Sequence, residues 1–259
     1  VSDPRQDAIR RLTEAGVDSP RLDVRLLWNA AQRNPGIFES YVKRRIRHEP
    51  VAYIVGYKEF WSLEFSVEPG VLIPRPATET VIEQVFDAYP DIGAPLKILD
   101  LGTGSGCLLT ALLKEYPNAR GVGIDESDKA LMVAARNIAS HGLQTRAELK
   151  HGNWMENLEE GWDVIVSNPP YIPTGDIAGL DPDVREYEPT GALDGGPDGL
   201  DSIRALAAGF RQHLTGTAFV EIGAGQAESV QALMAAAGLS VHHIAPDLAG
   251  IPRVVVTGP

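Results

Sequence analysis

Cysteine is almost absent from this chain: Cys107 is the single one in 259 residues, which excludes a disulfide framework and a cysteine-built metal site. Histidine is sparse too. His48, His141, His151, His213, His242 and His243 show no His-x-x-x-His spacing, and His242-His243 falls in an expected strand, where adjacent side chains point to opposite faces. No metal is expected. The sequence also lacks an apolar run long enough to span a membrane and a charged-then-apolar leader, so a soluble, cytoplasmic protein is expected. Basic residues are outnumbered, 23 Lys and Arg against 35 Asp and Glu, giving a net charge of −12. That balance argues against a large nucleic-acid footprint, which needs many contacts from Lys and Arg to phosphate. There is no internal repeat and no low-complexity tract.

What is present is enough apolar material, 44% of residues, for a chain of this length to bury roughly 70–75% of its extended surface. Charge is uneven. Residues 1–50 hold ten Lys/Arg and seven Asp/Glu, and the remainder thirteen and twenty-eight. The basic segment is either a solvated helix face or a dock for an acidic or RNA-bearing partner.

Residues 4–48 carry short amphipathic stretches broken at Gly16 and Asn34-Pro35-Gly36, with Asp3-Pro4 as a cap and first helical position. A bundle of three or four helices is predicted over residues 1–50. From Val51 the texture changes: Tyr53 to Val67 is rich in aromatic and β-branched residues, which predicts a hairpin linker over 51–75. Ile73-Pro74-Arg75-Pro76 is a rigid turn into a helix at 78–89. Arg75, held between prolines, either points into a site or pairs with Glu79 at the surface. From Lys97 strands and helices alternate with short connections, predicting an α/β domain over 76–259 with a seven-stranded, mostly parallel, Rossmann-like sheet. The last two strands, near 239–244 and 252–257, are too close for a crossover helix, so the final one should run antiparallel. The exception to short connections is 173–198, with seven acids and one base. A structureless stretch that long is a lid or a disordered linker, and its position next to the strand end favours the lid.

Two stretches carry chemistry. Asp100-Leu101-Gly102-Thr103-Gly104-Ser105-Gly106 follows the first parallel strand and opens a helix, where glycines let a ligand approach the backbone. A dinucleotide fingerprint from Gly102 needs a small residue at 107, where Cys107 fits only loosely and reads as packing. Asp100 at the strand end would repel a pyrophosphate by roughly 1–4 kcal/mol per charge pair. It would attract the ammonium and sulfonium of S-adenosylmethionine. Asp125, at the end of the next strand, is placed for ribose hydroxyls, and Asn153-Trp154, after the third, for adenine; packing alone would also explain Trp154.

The second stretch is Trp162 to Pro173. Val164, Ile165 and Val166 read as a fully buried strand, which stops at Asn168-Pro169-Pro170-Tyr171. An amide, two proline carbonyls and an aromatic face suit a flat group bearing NH2.

Together these residues resemble the bacterial peptide chain release factor N5-glutamine methyltransferases, the PrmC/HemK family, over nearly the whole chain. The carriers are Glu49-Pro50 through Gly56, Glu59-Phe60, Val71 to Pro76 with Thr78-Glu79, the glycine loop, Asn168–Tyr171, Glu188-Pro189, Ala192-Leu193, Asp247 to Gly250, and Arg253 to Val256. The resemblance implies a methyl transfer from S-adenosylmethionine to the glutamine amide of the Gly-Gly-Gln motif in class 1 release factors, in translation termination. It implies cofactor contacts from Gly102, Thr103, Gly104, Ser105, Gly106, Asp125, Trp154 and Asn168, and catalysis and glutamine binding by Asn168, Pro169, Pro170 and Tyr171. A substrate-recognition role for residues 1–50, a monomer, and no membrane or direct DNA contact are expected with it. Ala77, Ser62 and Pro197 depart from the family pattern, in the hinge, hairpin and lid. The competing readings are an adenine-N6 nucleic-acid methyltransferase, a non-catalytic module that binds S-adenosylmethionine, and a nicotinamide oxidoreductase. No strong general base is evident.

Overall fold

The computed structural model describes residues 3–156, 158 and 161–259. Four helices come first: α1 (Pro4–Glu14), α2 (Pro20–Ala30), α3 (Pro35–Arg45) and α4 (Val51–Val55). Each of the first three begins on proline, whose missing N–H costs nothing there. Asp3 accepts from the Arg5 N–H to cap α1, and Asn34 accepts from Gly36 and Ile37 to cap α3. Their apolar faces close on Leu12, Leu27, Phe38 and Val42. Inside this small core Arg45 Nε donates to Asp23 Oδ2 at 2.7 Å, so each buried charge has its partner.

The hairpin linker expected over 51–75 is shorter than its composition suggests. Val51–Val55 is a helical turn because Ile54 packs into the bundle core and Tyr53 onto Val67 and Ile73. Gly56, at φ 88°, ends it. The strands are only β1 (Tyr57–Phe60) and β2 (Leu63–Ser66), paired antiparallel through a two-residue turn.

The remaining chain gives α5 (Glu79–Ala88), β3 (Lys97–Leu101), α6 (Cys107–Glu115), β4 (Arg120–Asp125), α7 (Asp128–Ser140), β5 (Ala147–His151), β6 (Trp162–Ser167), α8 (Pro182–Tyr187), α9 (Asp201–His213), β7 (Leu214–Glu221), α10 (Ala227–Ala236), β8 (Ser240–Pro246) and β9 (Pro252–Gly258). The seven-stranded sheet has the order β5-β4-β3-β6-β7-β9-β8. β9 is antiparallel to both β7 and β8, as expected; its insertion between them was not legible in the sequence. Both faces are covered: Ile98 of β3 packs with α5 and α6, and Leu99 and Leu101 pack with α9. That explains the continuous apolar runs of the central strands. No described helix is long and apolar enough to cross a membrane.

Residues 173–198 are not the structureless lid expected of them. Short 3-10 turns at Thr174–Gly179 and Thr190–Ala192 flank α8, and Ile172 bridges Asp194. The segment is tied at several points. Tyr187 Oη donates to the Arg47 carbonyl at 2.6 Å, Arg45 Nη1 lies 3.6 Å from Asp183, and Glu188 is buried. The helical region, this segment and the sheet thus share contacts.

The β1–β2 turn carries a local conflict. Trp61 and Ser62 sit at φ 51° and 56°, in the left-handed region that a two-residue hairpin turn requires and that glycine fills without a steric cost. Ser62→Gly should therefore raise stability by about 0.5–1 kcal/mol, read as a higher denaturant midpoint at unchanged slope; an unchanged or lower midpoint would show that Ser62 is not strained.

Candidate active site

β3 and β6 are adjacent and parallel, with Leu101 opposite Ser167. The chain therefore leaves the sheet at Gly102 and Asn168 side by side, at the switch point where open α/β sheets bind ligands. Ser167 Oγ donates to the Leu101 carbonyl at 2.7 Å and ties the two strand ends together.

A cavity of about 570 Å³ opens above this point, a volume suited to a small cofactor. Gly102, Gly104, Asp125, Asn153, Trp154, Asn168 and Pro170 line it. Gly102, Gly104 and Gly106 lie at φ 72°, 56° and 77°, so the loop needs three left-handed residues in five. A Cβ on Gly106 would meet the Ala134 Cβ at 3.1 Å, so this glycine serves close packing of α6 on α7. Gly106, Thr103 and Ser105 do not reach the cavity: Thr103 and Ser105 are buried, with Thr103 Oγ1 donating to Asp100 Oδ2 at 2.7 Å and the Ser105 carbonyl accepting from Asn137.

Asp100 likewise sits beneath the loop rather than in the wall, 1% exposed. Its Oδ2 also accepts from the Leu109 N–H at 3.3 Å, while Oδ1 is buried without a hydrogen-bond partner. Burial pushes this carboxyl up to about 7, only partly opposed by the Thr103 hydroxyl and Leu109 N–H. Asp125 lies at the rim. Its Oδ2 accepts from Gly104 N–H at 2.8 Å and its Oδ1 from Ser127 N–H at 2.9 Å, so it pins the glycine loop, and each oxygen keeps a lone pair for a ligand. Trp154 holds a positive φ of 50° and sets its ring against Gly102. An orphaned buried carboxylate oxygen below and a second carboxylate at the rim fit a cationic ligand in this cavity.

Of Asn168–Tyr171, Asn168 and Pro170 face the cavity, whereas Pro169 and Tyr171 do not line it. Asn168 Nδ2 donates to Thr78 Oγ1 at 3.0 Å. Tyr171 turns its hydroxyl to Glu221 Oε1 at 3.2 Å, and its carbonyl accepts from Gln226 Nε2 at 3.0 Å. Burial pushes the Tyr171 hydroxyl well above its ordinary value, so it stays a donor. Glu221 is buried at the carboxyl end of β7; burial pushes its carboxyl up, against the pull of Thr78, Arg253, Tyr171 and Arg75.

Arg75 does not pair with Glu79 and does not line the cavity. Its Nη2 donates to Glu188 Oε1, whose second oxygen accepts from the Ile73 N–H at 3.2 Å; Glu79 instead accepts from the Trp61 N–H. Pairing across 113 positions has no sequence signal. Thr78, Glu188, Glu221 and Gln226 were missed as site residues; only Glu221, an acid ending an apolar strand, could have been suspected. Burial pushes the Cys107 thiol up to about 12, so it is inert. No group of His, Cys, Asp or Glu among the described residues is placed to hold a metal ion.

The family model for the methyltransferase small domain matches residues 77–178. The chain is 43% identical to a release factor glutamine methyltransferase of Caulobacter vibrioides, covering 95% of this chain and 92% of the relative. It is 41% identical to one of Geobacter sulfurreducens, over 94% and 91%. Among solved structures, a methyltransferase from Pyrococcus furiosus aligns with a TM-score of 0.55 at 16% identity, over 78% of this chain and 91% of that one. The hMettl16 catalytic domain in complex with MAT2A 3'UTR hairpin 1 aligns at 0.59 and 13%, over 93% and 80%. These two likenesses speak to fold alone.

Asp100 gives the fold a pH dependence of defined sign. Its carboxyl rises from an ordinary 3.8 to about 7, so the folded chain holds a proton that the unfolded chain has released. Stability should fall as pH rises from about 4 to about 7, by at most roughly 4 kcal/mol. Asp100→Asn should flatten this part of the profile in unfolding titrations without ligand. A wild-type profile that is flat or rises over that window would contradict the burial argument.

Proposed function

The chain belongs to the release factor glutamine methyltransferases, and from that premise we propose that the cavity seats S-adenosylmethionine while Asn168–Tyr171 hold a glutamine side chain of a class 1 release factor. The observation that carries the assignment is the adjacency of the glycine loop and Asn168 across one strand pair, on one cavity. When bound, S-adenosylmethionine supplies an electrophilic methyl group on a positively charged sulfur. Asp125 provides matching negative charge at the rim, and Trp154 and Asn153 a flat wall for adenine. Gly102 and Gly104 let the ligand lie against backbone.

An amide nitrogen is a poor nucleophile because its lone pair is delocalised into the carbonyl. Asn168 Oδ1 accepts one of its N–H hydrogens and turns the lone pair toward the donor side of the cavity. The prolines hold Asn168 in place, so catalysis comes from positioning and electrostatics. Tyr171 supports the clamp from behind, fixed at both its hydroxyl and its carbonyl. The proton leaves to water or a backbone acceptor.

Residues 1–50 are the region that recognises the protein substrate. Supporting this, α2 exposes Leu22 and Leu26 beside Arg21 and Arg25, on a basic segment of an otherwise acidic chain.

Labelled S-adenosylmethionine incubated with a release factor, with its Gly-Gly-Gln→Gly-Gly-Ala variant, and with DNA tests the reaction. Label is expected in the first alone, and label in either other arm would sink the reading. Asn168→Ala should lower kcat by about 10²–10³ with S-adenosylmethionine affinity changed far less; near wild-type turnover would remove Asn168 from its role. Leu22→Ser with Arg25→Glu should raise KM for the release factor by about tenfold, about 1.4 kcal/mol, leaving cofactor affinity unchanged. An unchanged KM would leave residues 1–50 a purely structural cap.

A further inference from the structure

An enzyme that methylates a glutamine within a protein must seat that protein over its clamp. A standard interface covers about 800 Å² of each partner, a patch reaching roughly 16 Å from its centre. Surface within that reach of Asn168, at the same end of the sheet, is therefore covered when the glutamine is in place.

The turn between β8 and β9 stands there. β9 runs antiparallel to β7 and β8, so β8 ends and β9 begins at the end of the sheet where Gly102 and Asn168 leave it. In the strand order β9 is two spacings from β6 and β8 is three, roughly 10–14 Å to the side of Asn168.

This turn is built to keep one shape. Asp247 Oδ1 accepts from the Ala249 N–H at 2.9 Å and from the Ile251 N–H at 3.1 Å. The Asp247 N–H donates to the Ile251 carbonyl at 2.9 Å, and Gly250, at φ 80°, donates to the Asp247 carbonyl at 2.8 Å. The turn is also fixed relative to the clamp. Arg253 Nε donates to Asp247 Oδ2 at 3.2 Å and its Nη1 to the Ile222 carbonyl at 3.0 Å. Ile222 follows Glu221, which accepts the Tyr171 hydroxyl.

What these bonds hold out in water is a leucine. Leu248 is 99% exposed, the most exposed large apolar side chain among the described residues, and Ile251 in the same turn is 37% exposed. A lone exposed leucine is ordinary on a surface. This one is kept from folding inward by its own turn, at a fixed offset from Tyr171, inside the area that a protein substrate must cover.

We infer that Leu248, with Ile251, is a docking point for the release factor, separate from α2, that receives an apolar patch flanking the Gly-Gly-Gln segment. The occupant is the protein substrate itself, because it is the partner that the reaction brings across this face. By gripping the substrate at a fixed distance from Asn168, the turn sets where the glutamine enters the clamp. The inference rests on the glutamine reading above and adds where on the catalytic face the substrate is held.

The test compares Leu248→Ser with Leu248→Met, which keeps the apolar volume. Ile92→Ser is the control: Ile92 is 55% exposed and precedes β3, at the opposite end of the sheet. Each is measured for the Kd of a class 1 release factor, for KM and kcat with it, and for S-adenosylmethionine affinity, which also reports folding. Leu248→Ser should raise Kd and KM about tenfold, with the loss in KM rather than kcat and cofactor affinity unchanged. Leu248→Met should stay within about twofold of wild type, and Ile92→Ser should match it. The docking point is overturned if Leu248→Ser binds the release factor like wild type, if Leu248→Met is as impaired as Leu248→Ser, or if Ile92→Ser weakens binding equally. A loss of kcat or of cofactor affinity in Leu248→Ser would overturn it too, by giving the turn a structural role. A wild-type chain that binds the release factor through Leu248 yet never labels it overturns the glutamine reading and leaves the docking point standing; one that neither binds nor labels it overturns both.

Discussion

The parallel pairing of β3 with β6 is the constraint on which the rest depends. Leu101 opposes Ser167, and the Ser167 hydroxyl closes on the Leu101 carbonyl. The glycine loop and Asn168–Tyr171 thereby begin at one height, one strand spacing apart, about 4.8 Å. Val164, Ile165 and Val166 hold this register because both faces of β6 are buried. Each such side chain is worth roughly 1.5–3 kcal/mol buried, and a one-residue slip would turn every one of them to the opposite face. The chemistry inherits its precision from the core of the sheet rather than from its loops.

Electrostatics in the site follows one theme. Asp100, Glu188 and Glu221 are carboxyls carried into low-dielectric surroundings on different elements, and each meets fewer partners than full satisfaction requires or a distant arginine. Burial of such groups costs folding free energy, and it pushes the carboxyl up in all three. Glu188 shows the structural form of the same idea: with Arg75 it fixes the segment between the two prolines, and beside it Tyr187 reaches back to the helical region through Arg47. The segment over 173–198 is thus a brace between the helices and the clamp, built from short turns.

What was legible in the sequence was local. The period of each strand and helix, the glycine loop after β3 and the proline stop after β6 each lie within a dozen residues, and the sheet's parallel character followed from their alternation. The antiparallel final strand followed from too short a connection. The misses were long-range. Tyr53 and Ile54 look like strand residues by propensity and become helical because the bundle and the hairpin bury them from two sides. The place of β9 depends on which edge of β7 is free. Arg75 with Glu188, and Thr78 with Asn168, pair across 113 and 90 positions, where no periodicity reaches. The glycine loop divided along a physical line: Gly102 and Gly104 line the cavity, while Thr103, Ser105 and Gly106 are used to build the turn.

The interposed β9 has a consequence for biosynthesis. Until Pro252–Gly258 is made, β7 and β8 have no shared partner, and β7 presents a bare apolar edge of the kind that recruits foreign strands. Arg253, whose guanidinium holds the Ile222 carbonyl at 3.0 Å beside Glu221, arrives in that same stretch. A ribosome that stalls shortly before it releases a chain with its glycine loop and clamp both translated, yet with an unsealed sheet and an uncountered buried acid. Sheet closure and charge balance at the site are completed by the same seven residues.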